Sequence, residues 1–227
     1  MILTIEIGNS TITLGGVEGD EVRFECRINT DRVKTSDTYC IDLKTLFEIY
    51  GIGLETIEGV IIASVVPQVL NSVRTAIRKL LGKEPLVVGP GLKTGLDIRI
   101  ENPAQMGAGL VAADVAALAE HQPPLIVIDM GTATTMTVLD PDGAHLGGCV
   151  CSGVKIGLEA LTSKTSLLPG IQLESPREAL GRNTADAMRS GIMYGTAAML
   201  DGMIDRFRAE TGWEFTILAT GGLAKHI

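Results

Sequence analysis

The chain has 227 residues, of which 45% are hydrophobic, and its formal net charge is −8. Enough apolar material is present for a real core, so this composition excludes a disordered chain. The acidic balance gives no broad basic surface for nucleic acid or anionic lipid, so we expect a small-molecule ligand, no nucleic acid and no membrane partner.

The sequence shows no pattern typical of a signal peptide or of a membrane-spanning helix. The first residues lack a basic segment with a cleavable apolar core, and no run of about 18 apolar residues occurs. We therefore predict a cytoplasmic protein.

The four cysteines lack CxxC spacing, so we expect reduced thiols rather than metal ligands. They are Cys26, Cys40, Cys149 and Cys151.

The first half of the chain alternates strand-like and helix-like periods. Periodicity predicts strands near 2–7, 11–16 and 21–27, a helix near 37–49, a strand at 59–64 and a helix near 68–81. The segment LDIRIENPAQMG then predicts a strand that runs into a helix. Asn102 is its expected N-cap, Pro103 its first residue and Gln105 the partner in a capping box, and the helix should extend to about Glu120.

A domain boundary is predicted at HQPP, residues 121–124, because its two prolines end the alanine-rich helix. The predicted domains are 1–121 and 122–227. In the second half, the pattern predicts strands near 125–130, 133–139 and 145–151, helices near 154–165 and 183–210, and a buried strand, EFTILATGG, that enters a glycine turn.

An internal repeat links the two halves. IEIGNST at 5–11 aligns without gaps on IDMGTAT at 128–134, so Glu6 corresponds to Asp129 and Gly8 to Gly131. The interval is too long for a solenoid and indicates domain duplication. We therefore predict two α/β lobes with a ligand cleft between them.

Both copies of the repeat carry groups suited to phosphate. An acidic side chain at the end of a strand can hold Mg²⁺ directly or through water, and glycine lets the backbone approach a phosphate. Asn9 with Ser10, or Thr132 with the threonines that follow it, can supply donors. One isolated hairpin of this kind is usually only a tight turn, but two matching copies and a third glycine motif at 220–222 favour a phosphate-binding site.

These motifs resemble the nucleotide-binding superfamily of sugar kinases, actin and heat-shock chaperone ATPases, which implies an α/β fold of two ribonuclease-H-like, actin-like ATPase domains with a nucleotide cleft between them. More narrowly, nearly the whole chain resembles the type III pantothenate kinases. The segments that carry the resemblance are IEIGNS at 5–10, GLKTGL at 91–96, NPAQMGA at 102–108, IDMGTATT at 128–135, GG at 147–148, LEALTSKTSLLP at 158–169, GRNTADAMRSGIMYG at 181–195 and TGGLA at 220–224.

The resemblance implies an activity and its cofactors. Type III pantothenate kinases transfer the γ-phosphate of ATP to the 4′-hydroxyl of pantothenate, which gives 4′-phosphopantothenate in the first step of coenzyme A biosynthesis. The resemblance also implies a homodimer that requires Mg²⁺ and a monovalent cation, K⁺ or NH4⁺. The expected partner is therefore pantothenate or a related small hydroxyl compound.

Site residues carried over by position fall into three groups. The residues expected to bind ATP and its phosphates are Glu6, Gly8, Asn9, Ser10, Thr11, Gly131, Thr132, Gly221 and Gly222. Glu6 would also bind Mg²⁺, and Asp129 the monovalent cation. The residues expected at the substrate are Gly107, Ala108, Gly109, Leu110 and Thr184. Thr184 has an alternative explanation, because Asn183 and Thr184 are also suitable cap residues for the following helix.

The acceptor side departs from the family pattern. The family usually has Gly-Ala-Asp-Arg where this chain has Gly107, Ala108, Gly109 and Leu110. That aspartate is the family's proposed general base and the arginine contacts the substrate, so we assign no catalytic residue here. Asp114 should face another side of the helix and so should not replace the missing carboxylate.

Three further differences are visible in the sequence. Glu6 stands where the family usually has aspartate, and Cys151-Ser152-Gly153 stands where many relatives have Ala-Pro-Gly. Family members also usually continue beyond the segment that corresponds to GGLAKHI.

Three hypotheses remain open from the sequence. The first is a pantothenate kinase that works slowly. The second is a paralogue that binds nucleotide or pantothenate and acts as a regulator or partner subunit. The third is a kinase for a less anionic hydroxyl compound, because Leu110 replaces a cation.

Overall fold

The computed structural model describes residues 1–227. The first half contains β1 (Ile2–Ile7), β2 (Thr11–Glu18), β3 (Glu21–Asn29), α1 (Ser36–Ile49), β4 (Gly59–Ser64), α2 (Pro67–Leu81), β5 (Leu86–Val87) and α3 (Ala108–Glu120), with 3₁₀ turns at Leu54–Thr56 and Pro103–Gln105. The second half contains β6 (Leu125–Met130), β7 (Ala133–Leu139), β8 (His145–Ser152), α4 (Val154–Lys164), α5 (Thr184–Thr211) and β9 (Thr216–Thr220).

The chain divides into two compact units. Unit 1 consists of Met1–Thr94 and Asn102–Ala112, and unit 2 of Gly95–Glu101 and Ala113–Ile227. Helix α3 therefore begins in unit 1 and ends in unit 2. The division into domains 1–121 and 122–227 stays a prediction.

Unit 1 is built on a five-stranded sheet in the order β3-β2-β1-β4-β5. Strand β1 pairs antiparallel with β2 and parallel with β4. Its buried residues Leu3, Ile5 and Ile7 alternate with Thr4 and Glu6, so the sheet has one core face. Two helices contribute stripes of buried residues at i, i+4 spacing to this core, Tyr39, Leu43 and Phe47 from α1 and Val69, Val73 and Ile77 from α2.

Unit 2 is built on a four-stranded sheet in the order β8-β7-β6-β9. Strand β6 is apolar on both faces, as expected for a strand covered on both sides. Ile126 and Ile128 pack in a cluster with residues of α5, while Leu125 and Val127 pack against Ala117 of α3. Both units thus contain an antiparallel three-stranded meander whose first strand also pairs parallel with a later strand.

Most predicted elements are present within a few residues, but the region before α3 differs. No strand forms at 97–101, where the chain makes only an isolated bridge between Ile98 and His145. Asn102 has no side-chain capping bond, and the 3₁₀ turn that follows it ends at the extended residue Met106, with φ −64° and ψ 125°. The prediction of one continuous helix from Pro103, with a capping box, is therefore wrong, because the chain unwinds at Met106 before α3 starts.

Two strands also differ from their predictions. The short strand β5 was not predicted, since two residues carry no period. The strand β9 was predicted to be buried, but Thr216, Ala219 and Thr220 are exposed because β9 lies at the edge of its sheet.

Helix α5 matches its sequence signals. The Asn183 side chain accepts a hydrogen bond from the Asp186 N–H, and Gly212 ends the helix with φ 74°. Met188 and Met193 are buried on its packed side. All four cysteines are free thiols. None of the helices is long and apolar enough to cross a membrane.

Candidate active site

The hairpin between β1 and β2 contains the first group of predicted phosphate-binding residues. The Gly8 N–H donates to the Thr11 carbonyl oxygen at 2.9 Å, which closes the turn around Asn9 and Ser10. A Cβ atom at Gly8 would lie 3.1 Å from the same carbonyl oxygen, closer than most side chains tolerate. Glycine therefore suits the sharp turn that directs Asn9 and Ser10 outward, where both residues are exposed.

A later segment of the chain fixes this hairpin. The Thr30 hydroxyl donates to the Gly8 carbonyl at 2.7 Å, and the Thr30 N–H donates to the Ser10 carbonyl at 3.0 Å. Arg32 donates from Nη2 to Asn9 Oδ1 at 3.1 Å. The sequence analysis did not identify Thr30 or Arg32, because their contacts join residues that lie far apart in the chain, Thr30 with Gly8 and Arg32 with Asn9.

The hairpin between β6 and β7 is the counterpart of the first hairpin in unit 2, with a connection that is one residue shorter. The Gly131 N–H donates to the Ala133 carbonyl, two residues further on, at 3.1 Å, whereas Gly8 bonds to the carbonyl three residues further on. Asp129 lies opposite Thr135 on β7 and Thr220 on β9. The two acidic residues and two turn glycines of the repeat thus occupy equivalent places in the two sheets.

Two further glycines pack against the second hairpin. Gly221 has φ +96°, and a Cβ atom there would lie 2.6 Å from the Met130 nitrogen and 2.7 Å from Asp129 Oδ1. A Cβ atom at Gly153 would collide with the Thr132 carbonyl oxygen. Gly221 therefore lies directly against the acidic residue of the hairpin, while the role of the turn at 220–222 as a third phosphate-binding motif stays a prediction. Gly153 was not among the predicted site residues.

Comparison with known proteins identifies the family. Residues 2–206 match the family model for type III pantothenate kinase. The chain belongs to the type III pantothenate kinase family. It is 44% identical over 227 residues to the type III pantothenate kinase of Exiguobacterium sp. strain AT1b, a match that spans 100% of this chain and 89% of the relative.

Solved structures support the fold at much lower identity. The activator of the 2-hydroxyisocaproyl-CoA dehydratase from Clostridium difficile, with bound ADPNP, aligns with a TM-score of 0.52 at 11% identity, over 99% of this chain and 81% of its own. A Sinorhizobium meliloti protein assigned as a 2-dehydro-3-deoxygalactonokinase aligns with a TM-score of 0.54 at 12% identity, over 97% and 91%. The predicted actin-like and sugar-kinase α/β fold class is confirmed.

Residues 107–110, which are predicted to bind the acceptor, lie next to β1. Ala108 is buried, Gly109 and Leu110 are half-buried, and none of residues 107–110 has an ionisable side chain. A Cβ atom at Gly109 would lie 3.7 Å from Glu6 Oε1, an ordinary van der Waals contact. Unit 1 therefore brings the predicted Mg²⁺ ligand and the predicted acceptor segment together.

In this member of the type III pantothenate kinase family, the side chain of Asp114 is hydrogen-bonded away from the predicted acceptor segment. Its carboxylate is fully buried and is held by Thr137 and His145 in unit 2. It is therefore not available to replace the aspartate that the family usually has at position 109, as the helical spacing predicted.

The remaining predicted site residues are exposed. Thr184 is the first residue of α5, where Asn183 supplies the cap, and Gly222 has no atom within 4 Å of the place of a Cβ. The role of Thr184 at the substrate stays a prediction. No group of three or more His, Cys, Asp and Glu side chains lies close enough together to hold a metal ion without other ligands.

The surroundings of Asp129 suit a monovalent cation. Burial raises the pKa of the Asp129 carboxyl above its ordinary value. Thr135, whose side chain shares its face of the sheet because the two residues are directly opposite, has a buried hydroxyl oxygen without a hydrogen-bond partner. A carboxylate and an unsatisfied hydroxyl oxygen are the hard oxygen donors that such a cation takes, so these residues fit K⁺ or NH4⁺.

The raised pKa gives a prediction for Asp129→Asn. The folded state holds this proton more tightly than the unfolded chain, so the stability that Asp129 contributes is present at low pH and is lost as the pH rises through the folded-state pKa. A cation bound at Asp129 would offset the cost of the buried charge. We therefore expect Asp129→Asn to raise the Tm at neutral pH without K⁺ and to abolish the additional stabilisation by KCl.

Thermal unfolding in KCl and in choline chloride of equal ionic strength measures this effect. Asp142→Asn, which changes an exposed aspartate in the β7–β8 turn, is the matched control and should retain the response to K⁺. A response to K⁺ that persists in Asp129→Asn would exclude Asp129 as the cation ligand.

Proposed function

We propose that the chain is an ATP-dependent pantothenate kinase, which phosphorylates the 4′-hydroxyl of pantothenate. The observation that carries this proposal is the pair of equivalent glycine hairpins, each with an acidic residue at the end of its first strand, in a chain that belongs to the type III pantothenate kinase family. The proposal includes ATP as phosphoryl donor, Mg²⁺ and a monovalent cation as cofactors, a homodimer and a cytoplasmic location.

The proposal assigns a part of the nucleotide to each glycine motif. The backbone N–H groups and polar side chains of 8–11 and 131–132 bind the phosphates, and the Gly221–Gly222 turn contacts the adenosine. Glu6 is an exposed carboxylate at the end of β1, and Mg²⁺ is usually held by one or two carboxylates together with substrate phosphates, so Glu6 fits this ion. Mg²⁺, when bound, neutralises the charge that develops on the phosphates.

In this proposal, the lack of a proton acceptor among residues 107–110 limits the rate of phosphoryl transfer to pantothenate. No residue among 107–110 can accept the proton of the hydroxyl group, and a positioned general base is worth about 10²–10⁴ in rate. Phosphoryl transfer nevertheless depends mainly on positioning and charge neutralisation, so the residues that hold ATP and pantothenate still accelerate it. We therefore propose a slow kinase.

A second candidate function rests on the same acceptor segment. Gly109 and Leu110 remove both the carboxylate and the guanidinium that the family usually has, which favours a nucleotide-binding regulator or partner subunit that no longer phosphorylates pantothenate. Leu110 also favours an acceptor without a carboxylate over pantothenate.

The test is transfer of labelled γ-phosphate from ATP to pantothenate by the purified protein, with Mg²⁺ and K⁺ present. We expect label in 4′-phosphopantothenate above a control without enzyme. The analogue of pantothenate in which an alcohol replaces the carboxylate is the matched acceptor, and a preference for it would identify the less anionic substrate. No transfer to either acceptor, together with measurable ATP binding, would refute the kinase and support the regulator.

A further inference from the structure

Helix α3 carries a carboxylate that the proposed reaction does not use. Asp114 is 0% exposed, and both of its oxygens are engaged. The Thr137 hydroxyl donates to Oδ1 at 2.6 Å, and His145 Nδ1 lies 2.7 Å from Oδ2. A carboxylate is costly to remove from water unless it is bonded in this way, so the helix is held where these partners are.

The partners of Asp114 are themselves fixed. Thr137 lies in the middle of β7, and His145 is the first residue of β8 and is 3% exposed. The His145 N–H donates to the Asp97 carbonyl at 2.8 Å, and the His145 carbonyl accepts from the Arg99 N–H at 2.8 Å. The bonds of Asp114 therefore connect the part of α3 that belongs to unit 2 with strands of the same unit, where the backbone of His145 is itself hydrogen-bonded.

Other contacts of α3 with this sheet have little directional character. Ala113, Ala117 and Leu118 pack with Leu125, Val127 and Leu139. Small alanine side chains offer few ridges that would stop a helix from sliding or rotating, whereas hydrogen bonds require a defined distance and angle. Asp114 therefore supplies directional bonds that favour one rotation of α3 about its axis.

The rotation of α3 decides where its first turn points. Leu110 and Asp114 are four residues apart and lie on one face of the helix, while each single residue turns the direction by about 100°. We infer that Asp114 is a positioning residue, which orients Gly109 and Leu110 for the acceptor through its bonds to Thr137 and His145. The inference rests on the proposed function, because only that function makes residues 107–110 an acceptor segment.

The experiment compares two dissociation constants in the full chain, one for pantothenate and one for ATP with Mg²⁺, together with kcat/KM for each substrate. The variants are Asp114→Asn and the milder Thr137→Val, which leaves Oδ1 without its donor. We expect pantothenate to bind about 10-fold more weakly and kcat/KM for pantothenate to fall by about 10–100-fold, because small misplacements are costly to positioned groups. ATP binding should change less than 2-fold, roughly the error of such a comparison.

Two control variants separate orientation from general destabilisation. Thr137→Ser keeps the donor and should restore pantothenate binding. Asp140→Asn changes another buried carboxylate of the same sheet, whose oxygens bond to Arg99 and to the N–H groups of Asp142 and Ala144 rather than to α3. It should lower the Tm without a selective loss of pantothenate binding.

The outcomes distinguish this inference from the proposed function. A selective loss of pantothenate binding in Thr137→Val and Asp114→Asn supports the inference, even if the wild-type protein shows no turnover. Equal changes for both ligands, or none, in a folded Thr137→Val variant would overturn it while wild-type turnover still upheld the kinase. A wild-type protein that binds ATP but not pantothenate would overturn both.

Discussion

The double variant Gly109→Asp/Leu110→Arg is expected to raise kcat/KM for pantothenate by about 10²–10⁴, the usual contribution of a positioned general base. The new aspartate would receive the proton of the hydroxyl group, and the new arginine would donate charge-assisted hydrogen bonds to the pantothenate carboxylate. Space is available, because the nearest atom outside α3 to a Cβ at 109 is Glu6 Oε1 at 3.7 Å.

The two single variants should show how much of this increase comes from kcat and how much from KM for pantothenate. Gly109→Asp should act on kcat, and Leu110→Arg should act on KM for pantothenate, because binding of the carboxylate does not change during the reaction. Gly109→Asp should also stabilise α3, because position 109 lies in the first turn of the helix, where an acidic residue is favourable.

Steady-state kinetics of the single and double variants measure the effect. The matched control is Ala112→Asp, which adds a carboxylate to an exposed position of the same helix and should leave kcat unchanged. An unchanged rate in the double variant would mean that positions 109 and 110 do not face the acceptor.

Gly221→Ala is expected to destabilise the protein strongly. Its φ of +96° costs a residue with a side chain about 1–3 kcal/mol. The new Cβ would also lie 2.6 Å from the Met130 backbone and 2.7 Å from Asp129 Oδ1, and overpacking of this kind costs about 1–3 kcal/mol. Together these effects should lower the Tm by about 4 °C or more, and the displaced turn should weaken ATP binding.

Substitutions at two other glycines separate the cost of the positive φ from the cost of the close contacts. Gly212→Ala has a positive φ of 74° but no atom within 4 Å of the new Cβ, so it measures the backbone cost alone. Gly222→Ala has neither a positive φ nor a close atom and should leave the Tm near that of the wild type. Equal melting temperatures for Gly221→Ala and Gly212→Ala would show that the turn can move away from Asp129.

The succession of strands along the chain and the two hairpins could be predicted from sequence because local signals coincide there. In β1 and β6, apolar residues precede an acidic residue and a glycine, and in both cases the glycine N–H closes the turn. The repeat then indicated that Glu6 is equivalent to Asp129 and Gly8 to Gly131, but not that the second connection is one residue shorter. The boundary of α5 was predictable for a similar reason, since Asn183 is a good cap and Gly212 a good terminator.

Features that depend on distant contacts were not predictable. The unwinding at Met106 separates a turn and a helix that share one apparent helical pattern, so Asn102 was a misleading cap signal. The Asp114 cluster joins residues on α3, β7 and β8, and each of the three taken alone resembles an ordinary polar residue. A single sequence reveals which residue types are present but not which of them meet after folding.

The bonds from Thr30 to the first hairpin have a consequence for the thermodynamics of ligand binding. The carbonyls of Gly8 and Ser10 accept hydrogen bonds from Thr30, so contacts within the protein restrict the conformational freedom of this loop. Ordering a loop on binding subtracts from affinity, so a loop ordered in advance leaves more of the contact energy for the ligand. In the proposed function, Thr30 and Arg32 would therefore contribute to the affinity for nucleotide through the order of this loop, without contact to the nucleotide.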